Sequence, residues 1–196
     1  MINLTKYKLE LKHANVYYIP FFFSKELADL YMDSLLKTIK FDKKEYEGRL
    51  TALYGDAKEY CYAKNKAIPE SWTPDLLDIK TKIKSLLSHE YDVCLLNYYQ
   101  NGKEGFRFHA DREEIGNPIP IVSVSFGAER KFYFKSKLEN SDEKYCIVLQ
   151  HGSLLIMDQG THENYIHSLP MDNKIKTPRL NLTFRKTRSI NNSRLS

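Results

Sequence analysis

Between residues 93 and 184 the chain carries VCLLNYY (93–99), IPIVSVSFG (119–127), KFYFK (131–135), YCIVLQ (145–150), GSLLIMD (152–158), NYIHSL (164–169) and RLNLTF (179–184). Each segment is short and rich in β-branched or aromatic residues. Turn formers such as Asn101-Gly102, Gly116-Asn117-Pro118 and His151-Gly152 set them apart, the pattern of strands joined by tight connections. Upstream the period changes to that of a helix. Ser24 is placed to cap LADLYMDSLLKTIK, where Leu27, Leu30, Tyr31, Leu35 and Ile39 share a face; Thr73-Pro74 opens a second helix through IKTKIKSLL. Two helices followed by many short strands predict an α+β, mainly β fold, a sandwich or barrel backed by helices.

The chain has 196 residues, 42% of them hydrophobic, with 8 Gly and 7 Pro. That supports a real core and excludes disordered, collagenous and repeat architectures. No uncharged run approaches the length of a membrane span and the amino terminus lacks the pattern of a secretion signal, so an intracellular site of action, nuclear or cytoplasmic, is expected. Cys61, Cys94 and Cys146 are widely spaced without a CxxC pair, which predicts three reduced thiols. The net charge of +5 is local: seven basic residues and no acidic one lie from Lys174 onward. A basic end is either a solvated tail or a phosphate contact.

His109 and Asp111 in HAD share a face if that segment is a strand, and His167 lies 56 positions beyond Asp111, past several strands. Two imidazoles and one carboxylate on one side of an ion suit non-haem Fe(II). In RLNLTFR, Arg179, Asn181, Thr183 and Arg185 alternate with Leu180, Leu182 and Phe184. Arginines on a buried strand face call for anions, and a guanidinium grips a carboxylate through two parallel hydrogen bonds. A small dicarboxylate would satisfy both; the alternative is pairing with internal Asp or Glu. Asn97 and Tyr99 offer an amide and a phenol on one face of the preceding NYY segment.

From Arg49 to Lys186 the chain resembles the AlkB-like dioxygenases, nucleic-acid demethylase branch. The resemblance rests on RLTALYGD, SWTPDLL, LLNYYQNG, HADREE, IVSVSFGAERKFYFK, HGSLLIMD and HSLP followed by PRLNLTFR. It implies a double-stranded β-helix (jelly roll) core with N-terminal helices outside and a nucleotide-recognition lid. Residues 1–188 would form one domain, with helices and lid over 1–90, the catalytic core over 91–188, and a flexible basic tail over 189–196. It implies Fe(II) on His109, Asp111 and His167, and 2-oxoglutarate, consumed with O2, held by Arg179 with Arg185, Asn181, Tyr99 and Asn97. The implied substrate contacts are Glu113, two residues after the metal Asp, the lid aromatics Tyr60 and Tyr62, Arg49, and Phe41 as a duplex wedge. Each has a plainer reading: a solvated loop acid for Glu113, ordinary core or surface tyrosines, and a core residue for Phe41. Departures fall at EGFRFHAD and at Tyr165, where relatives often differ, and touch no ligand.

The implied activity is oxidative demethylation of N-alkylated bases such as 1-methyladenine or 3-methylcytosine in DNA or RNA, by a monomer. Lys186, Arg188, Arg194, Lys43 and Lys44 would favour a phosphate backbone. The same chemistry on a methylated protein or a specific RNA mark, and a non-catalytic nucleic-acid-binding module, are the competing readings.

Overall fold

A computed structural model describes residues 2–42, 48–62, 65–111, 116–138, 141 and 143–187, and of residues 61, 62 and 65 the backbone alone. Strands β1 (Val16–Ile19), β2 (Leu50–Gly55), β3 (Tyr60–Tyr62) and β4 (Asn65–Ala67) precede the main strand series, and helices α1 (Lys25–Thr38) and α2 (Pro74–Leu87) are interleaved with them. The series continues as β5 (Val93–Tyr99), β6 (Phe106–His109), β7 (Ile121–Gly127), β8 (Arg130–Ser136), β9 (Lys144–Leu149) and β10 (Ser153–Met157), then the short α3 (Thr161–Asn164), β11 (Tyr165–Leu169) and β12 (Arg179–Arg185). All seven segments quoted above are strands. Antiparallel pairing sorts them into a six-stranded sheet, β1-β10-β7-β12-β5-β2, and a four-stranded sheet, β6-β11-β8-β9, with β3-β4 as a separate hairpin.

The helices form where their caps and stripes place them. The Ser24 side chain accepts from Leu27 N–H at the start of α1, and Thr73 does the same for Leu76 at the start of α2, with Pro74 in the first turn. Ala28, Tyr31 and Leu35 of α1 and Leu76, Ile79 and Ile83 of α2 are buried. They meet Cys94, Leu96, Val122, Val124, Phe126, Leu180, Leu182 and Phe184 from one face of the six-stranded sheet. A second core, including Tyr99, Ile121, Phe132, Phe134, Leu155 and Leu169, fills the space between the two sheets.

Strand β12 lies between β5 and β7, with Asn181 opposite Asn97 and Ser125. Its alternation is therefore a division between two interiors. Leu180, Leu182 and Phe184 enter the helix-side core, while Arg179, Asn181, Thr183 and Arg185 are turned between the sheets, all seven residues buried. Burying each of the three apolar side chains contributes about 1.5–3 kcal/mol, which anchors the polar row opposite. Neither β1 nor β2 was among the expected segments, and β6 was expected only as the strand reading of HAD, which ends at His109; β2 is the outer strand beside β5 and carries Thr51 and Tyr54 into the interior.

Candidate active site

His109 ends β6 and His167 sits mid-β11, and the two are direct register partners. Their rings lie 4.5 Å apart between centroids. Asp111 lies beyond the end of β6, so the expected sharing of one strand face gives way to a chain that leaves the sheet and brings its carboxylate back. One ligand atom from each of the three residues lies within 4.8 Å of the other two.

A β-bulge achieves the placement of His109. From His167 to Leu169 on β11 is two residues, whereas their partners His109 and Phe106 are three apart. An odd separation puts two residues on opposite faces of a regular strand; the extra residue turns both inward. Phe106 accordingly packs edge-on against His109 at 4.9 Å and against His167 at 6.0 Å. Gly105 precedes it because a Cβ there would lie 2.3 Å from the Leu169 carbonyl.

Nδ1–H of His109 donates to the Arg107 carbonyl at 3.0 Å, which fixes the tautomer and leaves the Nε2 lone pair inward. That nitrogen faces Asp111 Oδ1 at 3.6 Å. Two lone-pair atoms so placed need a cation between them, either a proton or a metal. Burial lowers the pKa of His109, but the Asp111 hydrogen bond and charge outweigh it and raise the net value. Burial pushes His167 down to about 3, so its ring is neutral and its lone pair available. Burial would raise the Asp111 carboxyl, yet the Arg185 charge and the His109 contact hold it well below its ordinary value. Two imidazoles and a carboxylate whose ionised form the Arg185 charge favours are a donor set that fits Fe(II).

Arg185 bridges Asp111 Oδ2 and the Tyr60 hydroxyl, each at 3.1 Å. This is the internal pairing that the sequence left open, realised for one arginine of the two. Arg179 differs. It is 2% exposed, gives Nη2–H to Ser125 Oγ at 2.9 Å, and packs beside the Tyr99 ring at 5.3 Å. Nε and Nη1 have no hydrogen-bond acceptor and no carboxylate lies near among the described residues. Burial pulls its pKa down to about 10. A buried guanidinium with unspent donors is unfavourable alone and fits a carboxylate ligand. Asn181 donates to Ser123 Oγ and the Val124 carbonyl, and Asn97 accepts from Arg49 Nε at 2.6 Å. The Arg49 guanidinium also lies over Phe106 at 5.6 Å.

A cavity of about 930 Å³ opens over these residues, lined by the three candidate ligands and by Arg49, Asn97, Tyr99, Asn181 and Arg185. Arg179 packs beside Tyr99, which lines the cavity.

The profile of the 2OG-Fe(II) oxygenase superfamily matches residues 15–185. The chain belongs to that superfamily. Membership brings Fe(II) and 2-oxoglutarate, with O2, as cofactor and cosubstrates. The oxygenase is 34% identical over 167 residues to the DNA oxidative demethylase ALKBH2 of Homo sapiens, covering 81% of this chain and 64% of that protein. It is 38% identical over 146 residues to the alpha-ketoglutarate-dependent dioxygenase alkB homolog 3 of Mus musculus, covering 70% of this chain and 51% of the relative. The chain thus spans between half and two thirds of these relatives' length. The solved structure of OsALKBH1 superposes with a TM-score of 0.64 over 87% of this chain and 97% of its own, at 18% identity, and so shares the jelly-roll fold.

The remaining expected contacts of this oxygenase separate. Tyr60 is buried and its hydroxyl accepts from Arg185. Phe41 is half-buried, packed against Tyr98 at 5.4 Å between ring centroids and against the edge of the helix-side core. Lys186 pairs with Asp92 at 2.9 Å. Glu113, the side chain of Tyr62, Lys43, Lys44, Arg188, Arg194 and the tail over 189–196 lie outside the described residues. Of the cysteines with described side chains, Cys94 is buried and Cys146 exposed, both free thiols. Sequence reasoning missed Phe106, whose role depends on the bulge, and Arg130. The latter is buried and donates to the carbonyls of Glu104 and Pro170, tying together the two loops at the cavity mouth. No helix among the described residues is long and apolar enough to cross a membrane.

Proposed function

We propose that this oxygenase demethylates N-alkylated bases in DNA or RNA, of the 1-methyladenine and 3-methylcytosine type, reversing alkylation damage directly as a monomer. The observation that carries the reading is the shared cavity. One space of about 930 Å³ holds the His109–Asp111–His167 set and the amides of Asn97 and Asn181, and has room for a small dicarboxylate and a base together. The names of the ALKBH2 and alkB homolog 3 relatives support nucleic acid as the substrate class.

When bound, Fe(II) with 2-oxoglutarate supplies an O2-dependent oxidation that hydroxylates an N-methyl group, leaving succinate, carbon dioxide and, from the hydroxymethyl group, formaldehyde. The chain's own residues do the rest by placement. His109, Asp111 and His167 would hold the metal, with Arg185 and the Arg107 carbonyl fixing the Asp111 carboxylate and the His109 tautomer. Arg179, with Tyr99 and Ser125, would grip the distal carboxylate of the cosubstrate, and Asn97, Asn181 and Arg185 would line its path to the metal. Glu113 would accept a hydrogen bond from the exocyclic amine of the base. Arg49, held by Asn97 and Phe106, would meet the nucleotide at the cavity wall.

The test is a mass-spectrometric assay of 1-methyladenine, 3-methylcytosine and ethenoadenine in single- and double-stranded DNA and RNA, with and without 2-oxoglutarate. Demethylation that requires 2-oxoglutarate and yields equimolar succinate supports the reading. Absence of turnover on every oligonucleotide, with turnover on a methylated protein, would move the same chemistry to another substrate. The complete ligand set in a cavity argues against a non-catalytic binding module.

A further inference from the structure

The bulge that turns Phe106 and His109 inward leaves Phe108 on the outer surface, 39% exposed. There it meets a row of side chains that the oxygenase reading does not use. Strand β8 alternates strictly, with Arg130, Phe132, Phe134 and Ser136 buried and Lys131, Tyr133 and Lys135 turned outward. On β9, Lys144, Cys146 and Val148 are the exposed set, and register places Lys135 opposite Lys144 and Tyr133 opposite Cys146. The small Ser168 lies between, paired to Tyr133 on β11. The Lys144 ammonium rests over the Tyr133 ring at 4.2 Å and the Phe108 ring at 5.6 Å.

The outer face of the four-stranded sheet is therefore a ladder of two aromatic rings around a lysine, with Lys131 and Lys135 beside it. The outward positions of β8 and β9 hold three lysines and no acid. Like charges directly opposite one another, as Lys135 and Lys144 are, repel across the pair, and the Lys144 ammonium turns to the two rings instead. Aromatic rings interleaved with cations on an exposed sheet match the chemistry of single-stranded nucleic acid, whose bases stack on rings while phosphates meet ammonium groups. Phe108 and Tyr133 stand two strands apart, about 10 Å at the usual inter-strand spacing, enough for separate bases. Phe108 is itself among the residues that line the cavity, so the platform reaches the cavity rim.

We propose that this face docks the unpaired nucleotides flanking the target base, with Phe108 and Tyr133 as stacking rings and Lys144 as a phosphate contact. The inference rests on the demethylase reading and specifies a single-stranded flank for it.

The experiment measures binding of a fluorescent unmodified 15-nucleotide single strand and of its duplex, by anisotropy. Alongside it runs the alkylation rate of Cys146, resolved by peptide mass spectrometry. The wild-type chain should bind the single strand in preference to the duplex, and the strand should slow Cys146 alkylation several-fold. Tyr133→Ala should weaken single-strand binding on the order of tenfold, Tyr133→Trp should restore it, and Phe108→Ala should act like Tyr133→Ala. An unchanged Kd in both alanine variants, an equal loss on duplex, or Cys146 alkylated as fast bound as free would overturn the platform. Assaying the same preparations on a strand carrying 1-methyladenine separates the two readings. Turnover without Cys146 protection overturns the platform and leaves the demethylase standing; tight, protected binding without turnover does the reverse.

Discussion

Arg185 and Asp111, 74 residues apart in sequence, form a buried ion pair at 3.1 Å, and the same carboxylate turns its other oxygen toward His109 Nε2. One oxygen is thus spent on orientation and the other is left for the ion. The arginine holds the acid ionised and fixes its rotamer at the point where the chain leaves β6.

Removing that support should weaken the metal site while leaving every ligand in place. Arg185→Met is expected to lower Fe(II) affinity about 10–100-fold, measured by anaerobic titration of the apoprotein. Metal binding at wild-type strength would refute the assigned role.

Arg179 should behave in the opposite way. Its charge is buried without a carboxylate partner, so Arg179→Met is expected to leave the ligand-free Tm unchanged or raise it. The same variant should raise the KM for 2-oxoglutarate on the order of 100-fold, about 2.7 kcal/mol, read from succinate release. Arg179→Lys should recover part of this, keeping the charge but losing the fork.

Acid should destabilise the metal-free protein before its surface carboxylates titrate. The folded pKa of His167 is depressed to about 3, below the unfolded value near 6.5. Between those values the unfolded chain binds the extra proton, so stability is full above about 6.5 and falls as pH drops through the window. His162, also lowered by burial, adds in the same sense. His109, raised in the fold by the Asp111 hydrogen bond and charge, acts in the opposite sense: its contribution is present below the unfolded value and is lost as pH rises through its folded one. Urea midpoints at pH 7, 6, 5 and 4 should decline steadily, and His167→Gln should flatten the decline; a flat wild-type profile would contradict the burial of a neutral His167.

Gly105 lets the loop before β6 press against Leu169, and a Cβ would meet that carbonyl at 2.3 Å. Gly105→Ala should cost about 1–3 kcal/mol through forced backbone displacement, measured by denaturant unfolding. Because the displacement moves Phe106 and the cavity mouth, kcat should fall as well; wild-type stability and turnover would show that the loop yields freely.

Seven of the eight strands after residue 91 and the two capped helices were legible because period, turn residues and caps are local properties of the chain. His109, Asp111, His167 and the alternation of RLNLTFR could be read for the same reason: the residue types and spacing suit one chemistry. β2 was not legible because LTALYG, with its Ala and Gly, carries a weak β pattern of its own. Tertiary structure alone decided which arginine is paired internally and which is not, because the Asp111 carboxylate reaches Arg185 only after β6 ends and the chain turns back. It also decided that Tyr60 is buried on Arg185, and that one extra residue in β6 sends Phe106 inward and Phe108 outward. A period of two gives each side chain a face only while the register holds, and register is a property of two strands together.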